Sequence, residues 1–267
     1  QRGNVEHRIQ ARWVVMATGA VPQAMLAAGL CDRHTPSGVA LRAYVRHDAL
    51  AAEVKHLRMV WHPKMRGGYG WIFPAPGGLF NIGAGLTGSH LKQADGRGRM
   101  AAPNLKQMFR DFAEVDPVAQ ALMEGGQLQG DIKGAPLRCT LQGARTSRSG
   151  MLATGEAIGS TYAFSGEGIG KALETGLLAA NALLREPRAD EAAVRSHYDG
   201  ALAALQPMFD LYETASRVNF HPWIADVVVW RARRSPRILR RLSGMLEESQ
   251  APGRLFSLRG VVKLLTE

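Results

Sequence analysis

Residues 150–184 read GMLATGEAIGSTYAFSGEGIGKALETGLLAANALL, an apolar strand, a glycine-broken loop and an amphipathic helix in a row. Met151, Leu152 and Ala153 make a short buried strand that Gly155-Glu156 ends, and Ile169, Leu173, Leu177, Ala180 and Leu184 recur at helical spacing. In the loop between them Ser165 is the expected N-cap. Gly166 and Gly168 leave the first helical turn bare, so backbone N–H groups and the positive dipole end face an anion or a polar ring edge. Glu156, at the strand's end, is the acceptor that a ribose or ribityl hydroxyl needs. An ordinary strand-to-helix turn with a solvated glutamate would read the same way, and this stretch alone does not choose between the two.

The surrounding composition is that of a protein with a real core: 267 residues, 46% of them hydrophobic. Cys31 and Cys139 are the only cysteines and show no CxxC spacing, so neither a disulfide framework nor a metal site is expected, and a cytoplasmic location fits. No apolar run reaches the roughly 18 residues that a membrane span requires, because Thr18, Gly19, Pro22 and Gln23 interrupt the best one. The opening QRGNVEHRIQ carries neither an initiator methionine nor a signal pattern, which raises the expectation of a fragment. The formal charge is +10, and residues 231–267 hold nine Arg and Lys against three Glu.

Upstream, Val5–Ala11 alternates like a strand, and Trp13–Ala17 is an apolar run closed by Thr18-Gly19, the signature of a buried parallel strand. Small residues at the carboxyl edge of such a strand let a cofactor lie against backbone. Residues 38–48, 55–62, 68–73 and 79–84 read as strands with glycine and proline turns, hence an antiparallel sheet. Asn104–Glu114 places Leu105, Met108, Phe109 and Phe112 on one helical face, Pro117 restarts a short helix, and residues 128–138 return to extended character. After a break at Glu186-Pro187-Arg188 the remainder is helical, with apolar stripes ending at Leu255, Leu258, Val262 and Leu265. The expected class is α/β: a partial Rossmann-like nucleotide-binding domain (1–30, returning at 149–186) interleaved with an α+β antiparallel-sheet substrate domain (31–148), then C-terminal helices (187–267).

The most specific short pattern is Tyr69-Gly-Trp71-Ile-Phe73-Pro74 followed by Gly83-Ala-Gly85. Alternation puts Tyr69, Trp71 and Phe73 on one face, an apolar wall suited to a hydrocarbon chain or a flat ring, or else to a core helix. Gly83–Gly88 (GAGLTG) matches GxGxxG formally. It is expected to be a decoy, since no amphipathic helix follows it.

Taken together, ATG at Ala17, Thr18 and Gly19, YGWIFP with GAG at 69–85, and GEAIG…SGEGIGKALETG at 155–176 resemble the geranylgeranyl reductase family in content and order, over nearly the whole chain. That resemblance implies an FAD-dependent flavoprotein with the para-hydroxybenzoate hydroxylase fold, reducing isolated carbon–carbon double bonds in prenyl chains of pigments, quinones or lipids. It implies hydride from reduced FAD to one alkene carbon and a proton to the other, in a dry tunnel that works chiefly by orientation. It places Ala17, Thr18, Gly19, Gly155, Glu156, Gly166, Glu167, Gly168 and Ile169 at the cofactor. Glu156 stands where the family has an aspartate, and AFSGEGI at 163–169 stands for its PxTGEGI loop. It places Tyr69, Trp71, Phe73, Pro74, Gly83 and Gly85 at the prenyl substrate. The family's strand-GxGxxG-helix that grips the FAD diphosphate has no counterpart in the sequence, so weak FAD affinity is expected of this chain.

No catalytic residue is assigned; Tyr69, Glu167 and Cys139 are the candidate proton donors. The electron donor stays open between NAD(P)H and ferredoxin. Two other functions compete: a flavin monooxygenase or halogenase of the same fold, and a non-catalytic module that binds a prenyl lipid or membrane without flavin. The basic C-terminal helices fit either a peripheral membrane contact or a helical cap with solvated arginines. Nucleic acid is not expected as a partner, for no binding module accompanies the arginines.

Overall fold

The computed structural model describes residues 7–87, 104–185 and 190–246. Two sheets organise it. The smaller is β1 (Val14–Met16) parallel to β9 (Met151–Ala153), with β8 (Ser147–Arg148) antiparallel on the far side of β9. Chain segments far apart in sequence thus meet in register, Met16 opposite Ala153, and the Thr154 N–H donates to the Met16 carbonyl. Around this sheet lie α1 (Gln23–Ala27), α5 (Ile169–Arg185) and α6 (Glu191–Ala215). They share a core of Met25, Leu30, Leu152, Ile158, Ala179 and Tyr198.

The larger sheet is antiparallel, in the order β3 (Arg58–Val60), β4 (Gly68–Ala75), β5 (Leu79–Thr87), β2 (Gly38–Arg46), β6 (Gln127–Leu128), with β7 (Lys133–Leu137) also on β2. A short α2 (Asp48–Glu53) follows β2, and α3 (Leu105–Val115) and α4 (Pro117–Gly125) close one face. Asn104 caps α3 through the Gln107 N–H, and Asp116 caps α4 through two N–H groups, each side chain satisfying donors that a helix start leaves orphaned. The expected stripe of α3 is a core stripe. Met108, Phe109 and Phe112 pack on Ile72, Phe80, Ile82 and Ala84, and Gly70 is bare because the Phe112 ring occupies the space a Cβ would need. Helices α7 (Pro222–Ala232) and α8 (Pro236–Leu246) finish the described chain and pack with α6 around Phe164, Phe209 and Tyr212.

Several expectations from the sequence need correction. Residues 7–11 form no strand, and Val5 and Glu6 lie outside the described residues. The run at Trp13–Ala17 is a parallel strand but not a buried one. Among the described residues it pairs only with β9, and Val14 and Val15 stay over two-fifths exposed. The apolar stripe of α5 points away from its core, with Ile169, Leu173, Leu177 and Leu184 between 65% and 82% exposed. The fully buried residues of α5 are small, Thr175, Ala179 and Ala182, and Leu178 and Leu183 pack half-buried beside them. The GxGxxG match needs no correction: as expected of a decoy, its Gly83–Thr87 part is strand β5 and not a loop before a helix. The break at 186–188 and the stripe from Leu255 lie outside the described residues.

Candidate functional site

The carboxyl ends of the two parallel strands define the site. At β9 the chain turns through Gly155, whose φ of +66° a side chain would resist, into a 3-10 turn at Gly155–Ile158. Thr175 of α5 locks this turn, its hydroxyl accepting from the Gly155 N–H and bonding Thr154 Oγ1, both at 3.0 Å. Glu156 follows directly. Its Oε1 accepts from the Arg138 N–H at 3.4 Å and the Thr161 hydroxyl at 3.1 Å, which leaves Oε2 to accept from an incoming hydroxyl. Burial raises the Glu156 carboxyl above the usual glutamate range, partly offset by the Arg138 N–H, by Thr161 and by the Arg138 charge. Arg138 is itself 2% exposed and donates to Cys31 Sγ and the Gly143 carbonyl.

Glu156 lines a pocket of about 540 Å³ with Leu137, Thr161, Gly166, Gly168, Ile169, Ala172 and Leu173. Its volume lies within the roughly 300–1,000 Å³ typical of small-molecule sites. The sequence-expected Glu156, Gly166, Gly168 and Ile169 come together here as anticipated; Thr161, Leu137, Ala172 and Leu173 are additions. Leu173 reads in the sequence only as part of the helical stripe, and no sequence signal picks out Leu137, Thr161 or Ala172.

The start of α5 differs from expectation. Ser165 does not cap it; its hydroxyl accepts from the Glu167 N–H, within the loop. The cap is Glu167, whose Oε1 accepts from the Gly170 N–H at 2.7 Å, while its Oε2 is buried without a partner. Among the described residues the N–H groups of Gly168 and Ile169 carry no hydrogen bond, so two donors at the positive end of a 17-residue helix remain beside the pocket. Gly168 has a packing reason as well, since a Cβ there would meet Thr161 Oγ1 at 2.5 Å.

Ala17, Thr18 and Gly19 sit at the end of β1, beside Gly155 at the end of β9, with Gly19 at φ +72°. They stand on the same sheet edge as Glu156 without lining the pocket.

Tyr69, Trp71 and Phe73 occupy the sheet face opposite α3. They form a ladder of rings 6.2 Å apart, centroid to centroid, and Trp61 and Phe164 extend it from the Tyr69 end. Helix α3 takes the other face of the sheet, so it is not the helix against which this wall lies, although Trp61 and Phe164 tie the Tyr69 end to the core that α6, α7 and α8 share. Gly83 lies opposite Trp71 in register, and a Cβ there would collide with the indole; Gly85, opposite Tyr69, is pressed by Ala40. Gly83 thus leaves the space that the Trp71 indole takes, while Gly85 makes room for the neighbouring strand β2. Pro74 continues β4 toward the turn, away from the pocket. Tyr69 joins ladder and pocket: its hydroxyl donates to the Ser165 carbonyl at 2.8 Å, and a Cβ on Gly166 would lie 2.6 Å from it.

Of the three candidate proton donors, Tyr69 is buried with its hydroxyl pKa driven well up by desolvation. Cys139 is buried with its thiol pushed up to about 12, mainly by burial and then by the Glu156 charge. Glu167 is engaged as a helix cap. Among the described residues no cluster of His, Cys, Asp and Glu could hold a metal ion, and no helix is long and apolar enough to cross a membrane.

Comparison with known proteins agrees with this architecture. No family model matches the chain. Two curated relatives, digeranylgeranylglycerophospholipid reductases 1 and 2 of Methanopyrus kandleri, are each 25% identical over 65% of this chain, the matches spanning 43% and 41% of their own lengths. The chain thus spans less than half the length of these relatives. Among solved structures, a triple-mutant form of the flavin-dependent brominase Bmp2 superposes with a TM-score of 0.64 at 15% identity, over 99% of this chain and 65% of that one. A flavoprotein/dehydrogenase from Cytophaga hutchinsonii gives 0.63 at 14% identity, over 95% and 62%. At such identities the likeness is one of fold. The resemblance to the geranylgeranyl reductase family is borne out by the relatives, and the mixed α/β fold, with its antiparallel sheet and C-terminal helices, by the solved structures.

Proposed function

We propose that this chain forms the flavin-ring side and the substrate wall of an FAD-dependent reductase acting on isolated double bonds of prenyl chains. The observation that carries the proposal is the aromatic ladder from Trp61 to Phe73, tied to the pocket loop by the Tyr69–Ser165 hydrogen bond. A ladder of this length offers no charge and little hydrogen bonding, which suits a hydrocarbon chain and not a sugar or a small acid.

The residues at the pocket fit a flavin, the cofactor for which the solved structures of like fold are named. Glu156 Oε2 is an acceptor for a ribityl hydroxyl, and the Gly168 and Ile169 N–H groups are donors for the electron-rich edge of a ring system. Bound FAD, once reduced, would supply the hydride. The chain's own contribution is placement: Thr175 fixes the turn that carries Glu156, Tyr69 fixes the loop that carries Gly166, and the ladder excludes water. The unpartnered N–H pair at the α5 start would favour an anionic ring there. Of the three candidate proton donors, Tyr69 is the one whose hydroxyl lies where ladder and pocket meet.

The same fold also serves enzymes that activate oxygen. The deciding experiment reconstitutes the protein with FAD, reduces it without air and adds a geranylgeranyl substrate. Reoxidation by the prenyl chain supports the reductase; reoxidation by oxygen alone supports a monooxygenase or halogenase. A protein that stays colourless with FAD leaves a lipid-binding module.

A further inference from the structure

The corner where α7 meets α8 has a composition unlike the rest of the surface. Between residues 223 and 246 there are six arginines, Arg231, Arg233, Arg234, Arg237, Arg240 and Arg241, against the single acid Asp226. Ile224, Ala225, Val228 and Ala232 turn α7 toward the core. Helical spacing gathers Trp223, Asp226, Trp230, Arg233 and Arg234 on its outer side. That side is not the polar face of an ordinary surface helix: Trp223, Val229 and Trp230 are 45–50% exposed, and Leu239 of α8 is 54% exposed. The Arg234 guanidinium lies 4.5 Å over the Trp230 ring and also donates to the Trp230 carbonyl.

Behind this stripe a groove of about 790 Å³ separates α7 from β3, walled by Met59, Val60 and Trp61 on one side and by Val229 and Trp230 on the other, with Asp226, Arg233 and Arg234 on its rim. Trp61 stacks on Phe164 and lies 5.6 Å from Tyr69, so the groove and the aromatic ladder share this indole. Exposed indoles beside arginines, at the mouth of an apolar groove, match a bilayer boundary. Indole rings settle at headgroup depth, arginines keep their guanidinium among phosphates, and the apolar groove opens onto the acyl layer.

We propose that the α7–α8 corner seats this protein on an anionic lipid bilayer, with the groove between α7 and β3 as the port through which one lipid chain leaves the membrane. The seat does not depend on the reductase reading. It requires neither flavin nor turnover.

The test is co-sedimentation of the purified protein with vesicles of phosphatidylcholine alone and with about a third phosphatidylglycerol. The expected result is capture by the anionic vesicles, weakened roughly tenfold when salt is raised several-fold. The Arg233→Glu/Arg234→Glu pair should lose roughly tenfold or more in partitioning. Trp230→Ser should lose affinity at low salt too, together with the blue shift of tryptophan emission. Leu177→Ser/Leu184→Ser, on the other exposed apolar stripe, should bind as the parent does, and circular dichroism checks that each variant is folded. The proposal is overturned by equal capture on neutral vesicles, by arginine variants that bind undiminished, by loss in the α5 variant alone, or by binding to an oligonucleotide with none to vesicles. Capture without prenyl reduction would sink the reductase reading and leave the seat standing; reduction without capture would do the reverse.

Discussion

Helices α3 and α5 carry the same kind of sequence and meet opposite fates. Each presents large apolar residues at three- and four-residue spacing beside a sheet. In α3 those residues are sealed: Phe112 is fully buried against Gly70 of the sheet. In α5 the stripe of Ile169, Leu173, Leu177 and Leu184 stands in solvent, while Thr175, Ala179 and Ala182, flanked by the half-buried Leu178 and Leu183, do the packing. Periodicity states that a face is built to be covered. It does not state what covers it. The β1 edge, with Val14 and Val15 exposed, adjoins the same open side of the small sheet.

The sharpest way to break this comparison is to truncate one residue on each helix. Phe112→Ala should cost about 3–5 kcal/mol, the loss of a buried ring plus the cavity it leaves. Leu177→Ser should change stability by no more than about 0.5 kcal/mol, as surface substitutions do. Urea denaturation of each variant measures both. Equal losses would mean that the α5 stripe is covered in solution, and the contrast would collapse.

A smaller effect is expected where the large sheet bears its ladder. Gly83→Ala places a methyl group against the Trp71 indole and 2.6 Å from the Leu41 carbonyl, so overpacking should cost about 1–3 kcal/mol. Adding Trp71→Ala should recover part of the loss and not all, because the carbonyl cannot move aside. Full recovery, or no loss in the single variant, would show that Gly83 is not there to seat the ring.

Smaller again is Tyr69→Phe, which removes only the hydrogen bond to the Ser165 carbonyl and should cost about 1 kcal/mol. Its signature is local. Proteolysis should quicken within residues 162–168, which Tyr69 holds, and not within α3. General quickening would make Tyr69 a core residue without a special tie to the pocket.

These contrasts also mark what a sequence can carry. The β2, β4 and β5 strands and α3 were legible because alternation and helical spacing coincide with their partners, and Tyr69, Trp71 and Phe73 did fall on one face. Glu156, Gly166, Gly168 and Ile169 were legible as a group because a strand, a turn and a helix start lie close in sequence and thus in space. The capping swap was not legible: Ser165 and Glu167 are both competent caps, and only the turn at Gly166, φ +70°, decides which side chain reaches Gly170. Nor was the outward turn of the α5 stripe, because exposure depends on what packs against a helix and not on the helix. Arg138, which sits beside Glu156, came from the end of an extended segment whose side chains gave no sign of burial.

The smallest expected effect concerns Glu156, where burial and its offsets pull in opposite directions and burial wins. Burial raises its carboxyl in the folded chain, while the Arg138 N–H, the Thr161 hydroxyl and the Arg138 charge pull the other way. Because the net shift is upward, the folded state keeps a proton that the unfolded state, titrating near about 4.3, has already lost. Stability from this group is therefore complete below that pH and declines as pH rises through the folded value. Glu156→Gln keeps an oxygen for Thr161 and removes the ionisation. Its stability relative to the parent should accordingly improve from about pH 4 toward neutrality and then level off, read as the difference in urea midpoint between the two proteins at each pH. A difference that stays flat across the range would show that the carboxylate is as well solvated at this sheet edge as in the unfolded chain. The same residue would then be a surface glutamate, and the small sheet would be open at its carboxyl edge as well as along β1.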